Sequence, residues 1–390
     1  MYVERTIIAE FRKRLASYNL VAIVGPRQAG KTTFLKESLA PSGSAYVSLD
    51  DPDARALFNE DIKKFEIQHI AGREMATLDE VHYGSDSGIK LKYLADRGHR
   101  LIIASSSEVI LGKEVLTHLV GRVTALRLYG FSLAEILSSK GQKEHNEEIL
   151  RRVIWEHAVF GAYPKVALTP DLEMKKTILR DIYYTLVYKD VAQTFSINDM
   201  PGLERLARHL SFSPGGMVSY EGISSSLGLS FQTLKKYMDA LEKSYLIVRV
   251  PPFYSNKSKE MAKQPKAYFV DNGIRNAISG EFPQSLENQG KLFESYVFTE
   301  LLKAGLRIKY WRAKGGAEVD FVLELDGEAV PVEVKLRGEA GKIEKGMRSF
   351  IGAYSPKRAF VVAYAGKTGE TKANGCVVRH VRVDELLRSI

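Results

Sequence analysis

The stretch VAIVGPRQAGKTTF, Val21–Phe34, decides the fold of the first part of this chain. Its apolar start indicates a buried strand, its end indicates a helix, and the loop between them fits the pattern G-x-x-x-x-G-K-[ST]. Glycines let the main-chain N–H groups of such a loop curl around a phosphate, and the dipole of the following helix adds a favourable field. The stretch therefore predicts a phosphate-binding loop in an α/β domain.

This loop type gives its polar residues defined roles. Lys31 neutralises phosphate charge, and the hydroxyl of Thr32 binds Mg²⁺. The residues predicted to bind ATP are Gly25, Pro26, Arg27, Gln28, Ala29, Gly30, Lys31, Thr32 and Thr33. The alternative is a chance match in a structural loop, which the strand-loop-helix context disfavours.

Further polar residues follow the apolar runs MATLDEVHY and IIASSSE. Asp79 is predicted to hold the Mg²⁺ shell, and Glu80 is predicted to orient or deprotonate the attacking water. Ser106 is a candidate sensor of the γ-phosphate, although surface solvation explains a run of serines almost as well. Arg122, in LVGRVTALRL, is a candidate to stabilise the charge of the transferring phosphoryl group.

The chain divides into four predicted units. Residues 1–137 alternate short apolar runs with helix-like segments, the pattern of a parallel sheet covered by helices. Residues 138–211 have apolar residues at spacings of three and four and form a helical region. Residues 212–265 indicate a winged helix-turn-helix followed by a basic linker, and residues 266–390 mix helix and strand as a separate α/β unit.

The second helix of the helix-turn-helix segment has two distinct faces. Its predicted buried stripe consists of Leu234, Met238, Leu241 and Tyr245. Its candidate nucleic-acid contacts are Gln232, Lys235, Lys236 and Lys243. The alternative is that this module packs against protein and that its lysines only form a solvated face.

The composition predicts an ordinary soluble, cytoplasmic protein with an acidic partner. The net charge of +9 favours nucleic acid, with DNA as the expected partner, although the basic residues are interleaved with acidic ones along the chain. The single cysteine, Cys376, cannot form an internal disulfide, and the N-terminus has no signal-peptide pattern. The apolar runs are too short to span a bilayer, so no membrane association is expected.

The segment AEVDFVLELDGEAVPVEVKL, Ala317–Leu336, predicts a β-hairpin, because two alternating apolar runs flank an Asp-Gly pair. In that register Asp320 lies opposite Glu333, and Lys335 shares their face of the sheet. Two carboxylates directly opposite each other repel at a cost of about 0.2–1 kcal/mol. The hairpin therefore needs a compensating interaction at this pair.

Six motifs, in this order, resemble those of prokaryotic ATPases that pair an AAA-type P-loop domain with a C-terminal domain called DUF4143. They are GPRQAGKTT, LDEVH, GRV…L…FSLAEIL, FGAYPKV, KAYFVDNGI and EVDFVLE…PVEVK. The resemblance covers nearly the whole chain and implies an AAA+-like ATPase core, a winged-helix region and a C-terminal domain resembling the PD-(D/E)xK nuclease fold. The residue two positions after the acidic pair is often Gln in this family, whereas here it is His82.

The nuclease-like resemblance gives the hairpin carboxylates a role. Asp320, Glu333 and Lys335 match the PD-(D/E)xK pattern, and Glu294 matches the acidic position on the first helix of such folds. A Mg²⁺ or Mn²⁺ ion between Asp320 and Glu333 would replace their repulsion with shared coordination. An ion pair between Lys335 and Glu318, with solvent screening the carboxylates, accounts for the same residues without a metal.

Three functions remain open from the sequence. The first is a Mg²⁺-dependent ATPase that acts on DNA, with self-assembly that lets Arg122 serve the site of a neighbouring subunit, as AAA-type sites commonly do. The second is an ATP-gated, metal-dependent nuclease. The third is a nucleotide-dependent switch that binds only protein.

Overall fold

The computed structural model describes residues 2–39, 44–106, 119, 121–140, 147–254, 263–339 and 341–390. Its first sheet consists of β1 (Leu20–Val24), β2 (Ala45–Ser48), β3 (Ala76–Asp79), β4 (Leu101–Ser105) and β5 (Val123–Arg127). These strands are parallel and lie in the order β2-β3-β4-β1-β5. The parallel α/β sheet predicted for this part of the chain is confirmed.

Helices cover both faces of this sheet. They are α1 (Ile8–Ser17), α2 (Lys31–Leu39), α3 (Pro52–Glu60), α4 (Ile62–His69) and α5 (Ser87–Asp96). Alternate residues of β1 show the two faces: Leu20 and Val24 pack into one apolar cluster, and Val21 and Ile23 pack into another. Since both faces are buried, the loops at the carboxyl ends of the strands are the open positions for a ligand.

A helical region follows the first sheet. It consists of α6 (Leu133–Ser139), α7 (Glu147–Phe160), α8 (Pro164–Ala167), α9 (Leu172–Thr185), a π-helix (Leu186–Gln193) and α10 (Met200–Phe212). Its apolar side chains belong to the same core cluster as those of the C-terminal sheet, for example Ile154, Leu179, Phe298 and Phe321. The helical region and the C-terminal part of the chain therefore share one core.

The next segment has α11 (Tyr220–Leu227), α12 (Phe231–Lys243), β6 (Gly216–Met217), β7 (Ile247–Val250) and β8 (Lys266–Phe269). Gly228, with a φ of +66°, allows the turn between the two helices. Leu234, Met238 and Leu241 of the predicted stripe are buried on α12. Tyr245 is buried as well, but its predicted place in the helix is wrong, because α12 ends at Lys243 and Tyr245 has a φ of +59°. The three strands form an antiparallel sheet in the order β6-β8-β7. Strand β8 therefore belongs to the same sheet as this segment, whereas the sequence predicted that residue 266 begins the next unit. Residues 255–262 of the predicted linker lie outside the described residues.

The C-terminal part contains a mixed six-stranded sheet. Its helices are α13 (Asn272–Ser279), α14 (Gly290–Lys303), α15 (Lys345–Tyr354) and α16 (Val383–Ser389). Its strands are β9 (Ile308–Arg312), β10 (Glu318–Leu325), β11 (Glu328–Gly338), β12 (Arg358–Gly366), β13 (Gly369–Ala373) and β14 (Cys376–Val381). They lie in the order β13-β14-β12-β11-β10-β9.

The predicted hairpin register is present between β10 and β11. Leu325 pairs with Glu328 and Val322 pairs with Pro331. The turn residues Asp326 and Gly327 both have positive φ, +51° and +79°, as a two-residue type I′ turn requires. The paired residues end at Phe321 with Val332, so Asp320 and Glu333 follow directly after the last pair.

Helix α14 also contacts α6, the first helix of the helical region. The Glu300 Oε2 atom accepts a hydrogen bond from the main-chain N–H of Leu133, at 2.8 Å, and both groups are buried. The Nζ atom of Lys303 donates to the other carboxylate oxygen, at 2.7 Å. Within the part of the chain that the structure describes, every helix is too short or too polar to cross a bilayer.

Candidate functional site

The predicted phosphate-binding loop connects the carboxyl end of β1 to the first turn of α2. Gln28 and Gly30 have φ values of +63° and +92°, so the loop curls sharply. Gly25 has a φ of +153°, and a Cβ atom there would lie 2.0 Å from the carbonyl oxygen of Leu128. Only glycine fits at that position, because any side chain overlaps the neighbouring main chain.

The side chain of Lys31 bends back and contacts the main chain of its own loop. Its Nζ atom donates to the carbonyl oxygens of Gly25 and Pro26, at 3.0 Å each, and the residue is buried. Charge-assisted bonds to phosphate are stronger than these bonds to neutral carbonyls. A bound nucleotide therefore competes well for the ammonium group.

Thr32 and Asp79 lie side by side at the carboxyl edge of the sheet. The Thr32 hydroxyl donates to Asp79 Oδ2 at 2.7 Å, and the Tyr46 hydroxyl, from the adjacent strand β2, donates to the same oxygen. Burial, followed by the bond to Asp79, raises the pKa of Tyr46, so this hydroxyl stays protonated and keeps donating. Hydroxyl and carboxylate oxygens are ligands suited to Mg²⁺, so Thr32 and Asp79 fit the predicted ion.

Glu80 adopts a left-handed conformation, with a φ of +51°, directly after β3. Its Oε2 atom accepts hydrogen bonds from the main-chain N–H of Ser106 at 3.1 Å and from the Ser106 hydroxyl at 3.3 Å. The Nδ1 atom of His82 lies 3.1 Å from the same oxygen. Burial alone raises the pKa of Glu80, but the His82 bond and the charge of Lys31 outweigh burial and lower the pKa to about 2.

Ser106 lies at the same edge of the sheet as the phosphate-binding loop, whereas Arg122 lies at the opposite edge. Ser106, the candidate phosphate sensor, donates a hydrogen bond from its hydroxyl to Glu80. Arg122 precedes β5, at the amino edge of the sheet, and its Nε atom lies 2.9 Å from Asp96 Oδ1. Five strand residues separate that edge from the carboxyl edge, roughly 16 Å. A catalytic role of Arg122 therefore requires the site of a neighbouring copy.

A cavity of about 160 Å³ adjoins the loop on the side of α2. Its lining includes Tyr2, Gly30, Thr33, Phe131, Pro164 and Lys165. Buried Arg5 forms one wall and donates from Nη1 to the carbonyl oxygen of Ala29, at 3.1 Å. Its Nε atom lies 3.2 Å from Glu135 Oε2, so an ion pair fixes the guanidinium behind the loop.

Sequence reasoning did not identify Tyr46, Arg5 or this cavity. The adjacency of β2 and β3 is the only signal for Tyr46, because it brings residue 46 beside the strand that ends in Asp79. Arg5 lies 24 residues before Ala29, outside any motif, and no local pattern indicates their contact.

The hairpin carboxylates form a second site. Asp320 Oδ2 accepts from the main-chain N–H of Val334 at 2.8 Å. Burial, followed by the charges of Glu294 and Glu333, raises the pKa of Asp320 to about 8. Lys335 Nζ donates to Glu333 Oε1 at 2.8 Å, whereas Glu333 Oε2 is buried without a hydrogen-bond partner in the described structure.

The alternative ion pair between Lys335 and Glu318 is wrong. Lys335 pairs with Glu333, and Glu318 pairs with Lys266 at 2.5 Å and with Arg312 at 3.7 Å. The reason is that Lys266, on β8 of the three-stranded sheet, is buried and takes the Glu318 carboxylate as its counter-ion.

Glu294 lies on α14, beside this acidic site. Its carboxylate accepts from the Tyr268 hydroxyl at 2.6 Å and from Lys291 Nζ at 2.6 Å. Across the residues that the structure describes, no group of three His, Cys, Asp or Glu side chains is arranged to hold a metal ion. A metal between Asp320 and Glu333 would therefore need ligands from outside the protein, with the unbonded Glu333 oxygen as its best protein ligand.

The candidate nucleic-acid contacts on α12 are all exposed: Gln232, Lys235, Lys236 and Lys243. Lys236 Nζ donates to the carbonyl oxygen of Ser196 at 3.0 Å. Asp239 and Glu242 lie on the same helix and share one counter-ion, because Arg249 Nη2 lies 2.7 Å from Asp239 Oδ1 and also contacts Glu242. The basic residues of this face are therefore interspersed with acidic ones.

Comparisons with known proteins give the chain three family matches. Residues 17–137 match an AAA domain, residues 151–285 match a domain of unknown function (DUF8612), and residues 289–381 match another (DUF4143).

Two similar relatives are uncharacterized proteins. The one from Mycobacterium tuberculosis is 27% identical over 90% of this chain and 77% of its own length. The one from Methanocaldococcus jannaschii is 24% identical over 82% of this chain and 75% of its own length. The solved structure of a Walker-type ATPase of Pyrococcus abyssi aligns with a TM-score of 0.44 and 14% identity, covering 71% of this chain and 96% of that chain. The family matches confirm the predicted resemblance, because the N-terminal part of the chain matches an AAA domain and the C-terminal part matches DUF4143.

Proposed function

We propose that this chain is a Mg²⁺-dependent ATPase that couples the state of its nucleotide to action on DNA. The contact between Thr32 Oγ1 and Asp79 Oδ2 carries the first part of the proposal, because it joins the two predicted magnesium ligands at the mouth of the phosphate-binding loop. The AAA match over residues 17–137 supports the same chemistry.

Each residue of the site has a separate role in the proposed phosphoryl transfer. The main-chain amides of the loop and Lys31 bind the β- and γ-phosphates, and Glu80 orients the attacking water. Bound Mg²⁺, held through Thr32 and Asp79, supplies positive charge to the phosphate oxygens. Tyr46 fixes the orientation of the Asp79 carboxylate through its hydroxyl.

The cavity beside Gly30 is the proposed site of the nucleotide base. It adjoins the loop through Gly30 and Thr33, and Phe131 and Pro164 give it apolar walls. Flat aromatic bases favour apolar surfaces with a few polar groups at the rim, which Lys165 supplies here.

The first test of this function is Lys31→Ala. Loss of one charge-assisted hydrogen bond to phosphate is expected to weaken binding of a fluorescent ATP analogue about 10- to 100-fold and to reduce phosphate release accordingly. Lys13→Ala, an exposed lysine on α1, is the matched control and keeps wild-type values. Unchanged binding and turnover in Lys31→Ala would contradict the ATPase proposal.

Oligomerisation is part of the proposal. Arg122 lies at the far edge of its own sheet and is half-exposed beside Asp96. Only in an assembly of copies does this guanidinium reach a nucleotide, by entering the site of the next subunit.

Action on DNA is supported by the basic face of α12. Two helices joined by a tight glycine turn, the second one exposed and basic, have the form of helix-turn-helix modules that place their second helix in the major groove. Arg249 pairs with both Asp239 and Glu242 and so offsets part of the repulsion that these two carboxylates would exert on phosphate.

The DNA contact predicts a salt-dependent effect of Lys235→Ala combined with Lys243→Ala. We expect weaker binding of duplex DNA and a salt-dependence slope, log K against log[salt], that is smaller by about two. The matched control is the double variant of Lys63 and Lys64, exposed on α4. If gel shifts show no DNA binding by the wild type at low salt, the protein-binding switch replaces this part of the proposal.

A metal-dependent nuclease is the second candidate, and the buried, unbonded Glu333 Oε2 is the observation that favours it. An unpartnered carboxylate oxygen is unfavourable unless a ligand completes it. Asp320, Glu333 and Lys335 would supply the metal ligands and the positive charge of a PD-(D/E)xK site, and a nucleic-acid phosphate with water would complete the coordination.

A further inference from the structure

A cavity of about 520 Å³ is lined by residues of α10, α14 and the start of β10. Phe212, at the end of α10, forms part of its wall. Among the described residues that line it, three side chains are cationic and one is a carboxylate: Lys266, Arg275, Lys291 and Glu318. Sites for small ligands usually have volumes of roughly 300–1,000 Å³. The size and charge of this cavity therefore suit an anionic group with an attached ring.

The buried lysine of this cavity has donors to spare. Lys266 Nζ lies 2.5 Å from Glu318 Oε1, but the angles of this ion pair do not suit a hydrogen bond, and the described structure offers the N–H groups of this ammonium no acceptor. A buried donor without an acceptor is unfavourable unless a ligand completes it. Because Lys266 lines the cavity, its donors point to an anionic ligand there.

The N-terminus of α14 adds further donors to the lining. Lys291 and Leu292, in its first turn, line the cavity, and the first N–H groups of a helix have no partner within the helix. The N-cap residue Gln289 forms no side-chain cap, and the first turn holds no acidic residue. The helix dipole therefore favours an anion here, and Lys291, whose side chain is 63% exposed beside Glu294, adds positive charge at the opening.

An exposed aromatic ring lies at the mouth of the cavity. Phe212 is 52% exposed, and the guanidinium of Arg208, one helical turn earlier on α10, lies 5.8 Å from the centre of its ring. Arg205 is exposed on the same helix. Proteins hold single-stranded nucleic acid by stacking its bases on aromatic rings beside basic groups that attract its phosphates. The mouth of the cavity has both elements.

We propose that this cavity binds one phosphate of single-stranded nucleic acid, with a neighbouring base stacked on Phe212. A single strand is the favoured occupant because a base within a duplex is already paired and stacked and cannot cover the ring. Glu318 lines the cavity and Asp320 lies two residues further along β10, so the bound strand passes beside the acidic site. This inference rests on the DNA part of the proposed function and names the form of nucleic acid that is bound.

Fluorescence anisotropy of the full chain with a labelled twelve-nucleotide oligothymidylate tests the proposal. Phe212→Ala is expected to weaken binding about 5- to 100-fold, the range for loss of one stacked base, whereas Phe212→Tyr should retain most of the affinity. Lys291→Ala should make the slope of log K against log[salt] smaller by about 0.7, the value for one phosphate of a single strand. The matched controls, Tyr18→Ala and Lys13→Ala, change exposed residues and keep the wild-type affinity.

Duplex DNA and free phosphates separate the other outcomes. Binding of duplex DNA but not of oligothymidylate by the wild type would overturn this inference alone, and failure to bind either at low salt would overturn the DNA part of the proposed function as well. Oligothymidylate binding that Phe212→Ala and Lys291→Ala leave unchanged would overturn the inference, because the strand would lie elsewhere. Displacement of the oligothymidylate by an equal concentration of inorganic phosphate or thymidine monophosphate would overturn it too.

A covalent readout does not depend on affinity. Irradiation of an oligothymidylate that carries 5-iodouracil joins this base to an aromatic side chain on which it stacks, so mass spectrometry should find the cross-link at Phe212. A cross-link confined to other residues would overturn the proposal. Since this measurement uses the wild-type chain, it also decides the question if a variant does not fold.

Discussion

Glu80→Gln is expected to reduce kcat for ATP hydrolysis about 10²- to 10⁴-fold while leaving ATP binding within a few-fold of wild type. The amide has nearly the shape of the carboxylate, so the loop, Lys31 and the magnesium ligands keep their positions. It lacks the negative charge that orients the attacking water and accepts its proton. The loss should therefore appear in the chemical step and not in affinity.

Single-turnover phosphate release and binding of a fluorescent analogue, measured on the same preparations, separate the two effects. Glu10→Gln is the control, because Glu10 is an exposed glutamate of α1 that pairs with Arg14. Turnover that survives in Glu80→Gln would assign water activation to another group. A matching loss of affinity would indicate that Glu80 supports the loop instead.

Asp320→Asn is expected to change how stability depends on pH. The pKa of Asp320 is raised from 3.8 to about 8, so between these pH values the folded chain holds a proton that the unfolded chain releases. The stability contributed by this group therefore falls as pH rises across that window, by at most about 1.4 kcal/mol per pH unit. Asparagine cannot titrate and removes this slope.

Urea and thermal unfolding at pH 5, 6, 7 and 8 measure this effect. We expect the unfolding midpoint of Asp320→Asn to exceed that of the wild type by an amount that grows towards pH 8. Asp326→Asn is the control, because Asp326 is exposed in the hairpin turn and asparagine suits its positive φ. Parallel pH profiles for Asp320→Asn and the wild type would contradict the raised pKa.

The same variant tests the nuclease candidate. Mn²⁺ favours the ionised carboxylate, so it should stabilise the wild type more at pH 8 than at pH 6 and should have little effect on Asp320→Asn. Cleavage of plasmid or branched DNA with Mn²⁺ should be lost in the variant. Cutting that persists in Asp320→Asn would exclude this site as its source.

Local patterns predicted much of this architecture. The phosphate-binding loop followed from glycine spacing between a strand and a helix, and the β10–β11 register followed from strict alternation around Asp326 and Gly327, because a slip of one residue reverses every side chain. Thr32 and Asp79 were predicted to hold one Mg²⁺ ion, and their side chains lie in direct contact. The loop and the hairpin could be predicted because each is encoded within a short stretch of sequence.

Long-range packing explains what the sequence did not predict. Lys335 pairs with Glu333 because Glu318 already forms an ion pair with another lysine. That lysine is buried Lys266, which lies on a strand of another sheet. The bond of Glu80 to Ser106 likewise depends on how far β3 and β4 extend beside each other. Side-chain partners between distant segments are set by tertiary packing, which periodicity does not describe.

The bond from the Leu133 amide to Glu300 has a consequence for dividing the chain. Glu294, beside the acidic pair, and Glu300 lie on the same helix, about 9 Å apart along its axis. A fragment that stops after the AAA match at residue 137 would leave this amide without its acceptor and would strip apolar surface from the shared core. The helix that positions Glu294 beside the acidic pair is therefore anchored at Glu300 to the segment that directly follows the first sheet.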